Sequence, residues 1–312
     1  MNMAAIEFDE ILNRVTMDAL LEPIERAFLG AVVAPPRHHH SVAVPGLPDA
    51  TLLLMPAWQP GEAIGVKIVT VHPGNVGTAV PTVNGAYLLL RARTGEVLAC
   101  LDGRALTLLR TAAVSALACR ALSRPEARQL LVVGTGALAP HLARGHAAVR
   151  KLERISVWGR DLSKARAVAE LLIRDGLPAK AAADLEDACR EADIVSCATM
   201  STTPLVRGAW LRPGTHVDLV GAFRPDMHEA DTQAISRAYL VVDSERAVDE
   251  AGDLATPLRQ GVISRDRVRL LADVLRTAPP ASRDLTVFKS VGTAIGDLAA
   301  ARVVAERCRA VG

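Results

Sequence analysis

The residues best equipped for chemistry begin with a glycine pair. Gly134-Thr135-Gly136-Ala137-Leu138-Ala139 follows the unbroken aliphatic run Leu130 to Val133 and opens a helical pattern. A run without alternation suits a strand buried on both faces, and the glycine spacing is the GxGxxA form of the dinucleotide fingerprint. In such a turn Gly134 permits the tight reversal, Gly136 lets backbone approach a pyrophosphate at a helix N-terminus, and Ala139 keeps helix and strand close. A second strand pattern, Arg154 to Trp158, follows at the length of a βαβ unit. It ends Trp158-Gly159-Arg160, without the carboxylate that bonds the ribose 2′-hydroxyl of NAD. Arg160, with Lys164 one turn on, suits a 2′-phosphate instead, so NADP(H) is expected over NAD(H). The adjacent Asp161 would reverse that preference if the strand ran one residue longer.

Three cations in the first half of the chain, Arg37, Lys67 and Arg110, call for a functional weighing. Lys67, in Gly65-Val66-Lys67-Ile68-Val69, either lies on the solvent face of an alternating strand or is buried and meets an anion. Arg110 interrupts the apolar helix pattern Leu108 to Ala113, as a satisfied structural arginine or an anion ligand. Arg37 alone reads as a surface residue. Asp226 sits in the loop Gly221 to Asp231 after the strand His216 to Val220, where ligands of open α/β sheets bind. It suits acid/base work or the capping of the next helix. Phe288-Lys289-Ser290-Val291-Gly292 reads as a strand entering a helix. His38-His39-His40 invites a metal reading, but adjacent side chains on an extended chain point to opposite faces, so solvent exposure and no metal are expected.

The elements that must position these groups follow from periodicity. Thr16 to Val33 predicts a helix capped by Thr16 and stopped by Pro35-Pro36. Ser41 to Val44, Thr51 to Pro56 and Ile64 to Val71 predict strands, and Tyr87 to Arg93 with Glu96 to Leu101 flank the hairpin signal Thr94-Gly95. That makes a mainly antiparallel first domain. Arg104 to Leu122 is a long Ala/Leu-rich helix, broken at Ser123-Arg124-Pro125, which puts a boundary near Ser123. Beyond it, strands at Leu130, Ile155, Ala179, Ile194, His216 and Tyr239 alternate with helices, the doubly wound signature.

Composition narrows the function. The 312 residues suffice for two domains, and 50% hydrophobic with only 3% aromatic residues means cores of Ala, Val and Leu. A net charge of +2 with intermixed signs offers no nucleic-acid stripe, and no segment implies a membrane partner. Cys100, Cys119, Cys189, Cys197 and Cys308 form no CxxC pair and sit in aliphatic patterns, which suits a reducing, cytoplasmic compartment.

Taken together the chain resembles the ornithine cyclodeaminase/mu-crystallin family. The motifs are the Lys67 strand with His72-Pro73-Gly74-Asn75, PTVNG at Pro81 to Gly85, TGE at Thr94, LTLLRTAA at Leu106, GTGALA, VGAFRPDMHEAD at Val220 to Asp231, and FKSVG at Phe288. The resemblance implies a Rossmann-type doubly wound parallel sheet domain, residues 123–285, plus an α+β substrate-binding and dimerisation domain from both chain ends, 1–122 with 286–312. It implies a homodimer acting on a small amino or imino acid. Arg37, Lys67 and Arg110 would surround the substrate carboxylate, with Lys67 and Asp226 as catalytic candidates. The implied cofactor-binding set is Thr82, Gly134, Gly136, Ala137, Leu138, Gly159, Arg160, Lys164, Thr199, Val220, Gly221, Ser290 and Val291. Within this mixed family the expectation is NADPH-dependent reduction of a cyclic imino acid. The alternatives are ornithine cyclodeamination with recycled NAD and a binding protein that retains NADPH. Gly159-Arg160, and a chain ending at Gly312 without the longer tail associated with the cyclodeaminase branch, lean towards the reductase.

Overall fold

Hydrophobic alternation and glycine turns build one sheet from the first third of the chain. The computed structural model describes residues 4–277, 279 and 284–309. In chain order the first elements are β1 (Ala4–Ile6), α1 (Phe8–Arg14), α2 (Met17–Leu29), β2 (His38–Val42), β3 (Ala50–Gln59), β4 (Ala63–Val71), β5 (Val83–Arg91) and β6 (Val97–Asp102). The strands form a six-stranded sheet ordered β1-β6-β5-β4-β3-β2, antiparallel except where β1 joins β6. Gly61 and Gly95 turn its hairpins at φ of 74° and 72°, a region that side chains with a Cβ disfavour. The long helix α3 (Gly103–Leu122) follows, with Asp102 Oδ1 accepting from the Ala105 N–H at 2.7 Å. By length and hydropathy α3 passes for a membrane span, but 83% of its apolar window is buried, as in a core helix.

The next stretch alternates strictly. It runs β7 (Gln129–Val133), α4 (Ala139–Val149), β8 (Arg154–Trp158), α5 (Leu162–Arg174), β9 (Ala179–Ala181), α6 (Leu185–Glu191), β10 (Ile194–Cys197), β11 (Thr215–Leu219), α7 (Thr232–Arg237), β12 (Ala238–Val242), α8 (Ala247–Glu250), α9 (Gly252–Arg259), β13 (Val268–Leu270), α10 (Leu271–Arg276) and β14 (Leu285–Lys289). All eight strands are parallel, in the order β13-β12-β14-β11-β10-β7-β8-β9. Alternate residues feed two cores. Leu130, Val132, Ile155 and Val157 pack with Ala139 of α4 and Leu172 of α5, while Leu131, Val133, Val195 and Val217 pack with Cys189 of α6 and Ile235 of α7. The order in which strands are added reverses between β7 and β10, so the carboxyl ends of these two strands frame the crevice where such sheets bind ligands. The last helix, α11 (Ala294–Arg309), packs on α2 and across β3 to β6.

The chain divides into two units, Met1–Arg110 with Thr293–Gly312, and Thr111–Gly292. This moves both expected boundaries. Residues 286–292 were expected in the first domain, yet β14 lies between β11 and β12, with Leu285 opposite Thr215 and Ala238. Every residue of β14 is buried, as two-sided coverage in a parallel sheet demands. The helix expected over Thr16 to Val33 is α2, which ends earlier, at Leu29 before Gly30, with Pro23 tolerated inside it; α1, parted from it at Val15-Thr16, is an additional helix that was not expected. Thr16 occupies the N-cap position of α2 without a side-chain capping bond. The histidine triplet lies in β2, extending the expected Ser41 strand backwards, and all five β2 residues are exposed.

Candidate functional site

The glycine turn of the second unit makes a cradle for a dinucleotide. Gly134 has φ 127°, and a Cβ there would lie 2.7 Å from the Ala198 carbonyl. A Cβ on Gly136 would meet nothing within 4 Å, so this backbone faces open space, as a pyrophosphate requires. The cavity, about 530 Å³, is lined by Gly134 to Gly136, Trp158 to Arg160, and residues 198–203 with Leu205. Ala137 is exposed and Leu138 half-buried at the start of α4, whose first residue Ala139 is fully buried against the sheet. A Cβ on Gly159 would strike Thr135 Cγ2 at 2.6 Å, so any side chain there would displace that of Thr135.

Arg160 and Lys164 are exposed at the end of β8 and in the first turn of α5. Asp161 is otherwise engaged. As N-cap of α5 it accepts from the Ser163 N–H at 2.9 Å and the Ser163 hydroxyl at 2.6 Å, bonds that hold its carboxyl below the usual range. The expected loop residues Val220 and Gly221 follow β11, and Gly221 presses so closely on Thr199 that no side chain fits. Ser290 and Val291 follow β14. The Asp243 carboxylate accepts from Ser290 Oγ at 2.6 Å, Val291 N at 3.2 Å and Gly292 N at 2.8 Å, which fixes the turn where Gly292 takes φ 83°.

Asp226 caps no helix, which removes the structural role that sequence reasoning had set beside the catalytic one. Asp231 caps α7, accepting from Ala234 N and Gly208 N at 2.9 Å each. Asp226 is exposed and held in a two-point pair by Arg224, at 3.0 Å and 2.8 Å, which keeps its carboxyl below the usual range.

In the first unit Lys67 is not on a solvent face. It is 4% exposed, with Nζ 3.2 Å from Asp297 Oδ1 of α11, and Arg110 Nε lies 2.8 Å from the same oxygen in an ion-pair contact without hydrogen-bond alignment. Two buried cations thus share one carboxylate, whose second oxygen, Oδ2, has no hydrogen-bond partner among the described residues. Burial pushes Lys67 down to about 8, against the pull of Asp297, while Arg110 and Arg37 press it further down. Half-buried Arg37 is therefore within electrostatic reach of the cluster. Tyr87, directly across from Lys67 on β5, leans over Gly65, where a Cβ would collide with its ring. Burial and Asp297 raise its phenol well above the usual value. Thr82, half-buried, accepts through its carbonyl from His72 N at 2.8 Å. His38, His39 and His40 are exposed, as expected, and no group of three or more metal-binding side chains occurs among the described residues.

The model of the Ornithine cyclodeaminase/mu-crystallin family matches residues 2–312. The chain belongs to this family. It is 42% identical over 270 residues to the Delta(1)-pyrroline-2-carboxylate reductase of Paracoccus denitrificans, covering 83% of this chain and 84% of that protein. The solved structure of the Thermococcus litoralis Delta(1)-pyrroline-2-carboxylate reductase in complex with NADH and L-proline aligns with a TM-score of 0.91 at 30% identity, over 99% of this chain and 98% of that one. An archaeal alanine dehydrogenase dimer with bound NAD aligns at 0.90 and 27%, over 100% and 97%.

Several residues that shape this family member's site escaped the sequence reading. Asp297 was passed over inside an Ala-rich helix, although a carboxylate on an apolar helix face was a usable signal. Glu229, Asp253 and Lys289 are all buried, with Lys289 Nζ 3.1 Å from Asp253 Oδ2 and 3.7 Å from Glu229 Oε2. Asp218, in the middle of β11, accepts from Ser196 Oγ at 2.6 Å and Ser115 Oγ at 3.0 Å and faces His146 Nε2 at 3.3 Å. Their ion-pair and side-chain partners lie on other strands, helices and loops, so spacing alone does not reveal them.

Proposed function

We propose that this protein is an NAD(P)H-dependent oxidoreductase that reduces a cyclic imino acid, a pyrroline- or piperideine-2-carboxylate, to the amino acid. The observation that carries this reading is the buried Lys67–Asp297–Arg110 cluster, which holds one positive charge in excess. A substrate carboxylate is the anion that would neutralise it. The pyrroline-2-carboxylate reductases among its relatives support the same substrate class. Lys67 and Arg110, with Arg37, orient the carboxylate by charge-assisted bonds. Asp226, kept ionised by Arg224, stabilises the positive charge on the protonated imine nitrogen, which leaves C2 electrophilic. A nicotinamide bound over the Gly134 to Leu138 turn, Gly159, Thr199, Val220, Gly221, Ser290 and Val291, with Thr82, supplies the hydride.

The cofactor preference is for NADP(H). Arg160 and Lys164 stand exposed where a 2′-phosphate would arrive, and Asp161 is committed to its cap. Arg160→Asp is expected to lower kcat/KM for NADPH and raise it for NADH, each on the order of tenfold. Wild-type preference for NADH would overturn the assignment. The first unit acts as substrate and dimerisation domain of a homodimer. Its exposed Val42, Leu47, Val76, Val80 and Val83 supply apolar surface for a partner copy, and light scattering should return twice the chain mass. The free cysteines, three of them fully buried, suit a reducing, cytoplasmic setting.

The deciding assay supplies cyclic imine with NADPH or NADH in one vessel and L-ornithine with catalytic NAD in another. Imine-dependent oxidation of the reduced cofactor is expected. Formation of proline from ornithine, or no turnover of any cyclic imine, would overturn the reading.

A further inference from the structure

We infer that Glu229 is a positioning residue that locks the dinucleotide-pocket wall carrying Thr199 to the loop carrying Asp226, so that cofactor site and carboxylate are set as one piece. The inference rests on the dinucleotide reading of the Gly134 to Leu138 turn. Glu229 is fully buried, and its two oxygens take four donors from two loops. Oε1 accepts from Thr199 N at 2.6 Å and Thr199 Oγ1 at 3.0 Å, and Oε2 from Gly221 N at 2.8 Å and Ala222 N at 3.1 Å. Thr199 follows β10 and lines the pocket; Gly221 and Ala222 follow β11 and begin the Asp226 loop.

The far end of that loop is tied to the same wall, because His228 N donates to the carbonyl of Ser201, another lining residue, at 2.8 Å. Asp253 of α9 supports the clamp from behind, its Oδ1 accepting from Glu229 N at 2.8 Å and Ala230 N at 3.1 Å. Gly252 N donates to the Arg224 carbonyl at 3.1 Å, holding the middle of the loop against the start of α9.

Four donors on two oxygens favour the carboxylate anion, since protonation turns one of these acceptor sites into a donor that has no acceptor facing it. The charged and titratable groups facing Glu229 are Lys289 from β14, Asp253 from α9 and the Cys197 thiol at the end of β10. His228 on its own loop is engaged with Thr256 Oγ1 at 2.9 Å. Burial pushes Glu229 up to about 7, with Lys289 pulling it down and Asp253 pushing it up, while burial holds Cys197 well above its usual value and therefore neutral. Acidification through pH 7 therefore replaces one acceptor site with a donor and weakens the tie between the loops.

The test measures NADH affinity by the fluorescence of the bound nucleotide from pH 6 to pH 8. NADH is used because the 2′-phosphate of NADPH titrates in the same range. For the wild-type protein, Kd should rise on the order of tenfold between pH 8 and pH 6. Glu229→Gln, which presents an N–H₂ to one pair of donors, should bind NADH on the order of tenfold more weakly at pH 8, with no pH dependence. Its kcat at saturating NADH should fall as well, because the Asp226 loop is released. A pH-independent wild-type Kd, which needs no variant, would overturn the clamp, as would a folded Glu229→Gln protein with wild-type Kd and kcat. Failure of the wild-type protein to bind NADH or NADPH at any pH would overturn the dinucleotide reading and the clamp together.

Discussion

At the scale of single residues, the two catalytic candidates differ in how their surroundings treat charge. Asp226 is exposed and its negative charge is reinforced by Arg224, which suits stabilisation of a cation better than proton donation at neutral pH. Asp226→Asn keeps the size and removes the charge. Since no helix is capped by Asp226, the substitution should leave the melting temperature and NADH binding unchanged while kcat falls on the order of a hundredfold or more. Full turnover in the variant would remove Asp226 from the mechanism. Lys67 is the opposite case, a buried cation pushed down to about 8. Only its protonated form holds a carboxylate, so KM for the imino acid should be flat below pH 8 and rise by up to about tenfold per unit above it. Steady-state kinetics from pH 7 to pH 10 checks this, with kcat reported separately. The stability sign follows from the same depression: between pH 8 and the unfolded value of 10.5 the unfolded chain binds more protons at this residue, so this contribution to stability rises with pH there.

Among the elements, helix ends carry much of the organisation. The carboxyl end of α3 is capped by a single buried arginine. Arg150 Nε donates to Ser123 Oγ at 2.9 Å and the Arg124 carbonyl at 3.1 Å, and Nη2 to the carbonyls of Cys119, Arg120 and Ser123 at 3.1, 2.9 and 2.9 Å. A cation there also complements the helix dipole. Arg150→Met would remove all of these charge-assisted donors at once, the Cys119 carbonyl keeping Ser123 N and the Arg124 carbonyl keeping Ala127 N, at a cost of roughly 3 kcal/mol. Urea unfolding should show a lower midpoint with an unchanged m-value, and a loss below about 1 kcal/mol would mean that water replaces the guanidinium. The loops after β10 and β11 are the second organising device. Gly221 admits their close approach, and Glu229 supplies the acceptors.

For the whole molecule, ligand binding and stability are linked through the second unit, Thr111–Gly292, which holds the dinucleotide turn. NADPH at a hundredfold excess over its Kd should stabilise the folded protein by about 2.7 kcal/mol. For a chain of this size that is a rise in melting temperature of roughly 4 °C, measurable by differential scanning fluorimetry. NAD-type cofactors without the 2′-phosphate should require higher concentrations for the same shift if Arg160 grips that phosphate.

What the amino-acid order alone determined was whatever is encoded locally. The fingerprint turn, the alternation of strands and helices from Leu130 to Val242, the hairpin at Thr94-Gly95 and the exposure of His38 to His40 rest on short-range spacing, and the fold reproduces them. The family resemblance drew on the order of such local motifs, and the match over residues 2–312 bears it out. Tertiary structure decided the matters that depend on who is buried against whom. Lys67 could have faced solvent until α11 brought Asp297 to it from 230 positions away. Residues 286–292 could have joined either sheet until β14 paired with β11 and β12. Asp161 and Asp226 each carried two roles until a neighbouring Ser163 claimed one as a cap and Arg224 the other as an ion pair. The physical reason is that a buried charge costs free energy unless a partner meets it, and such partners are supplied by the fold across sequence distances that no local pattern spans.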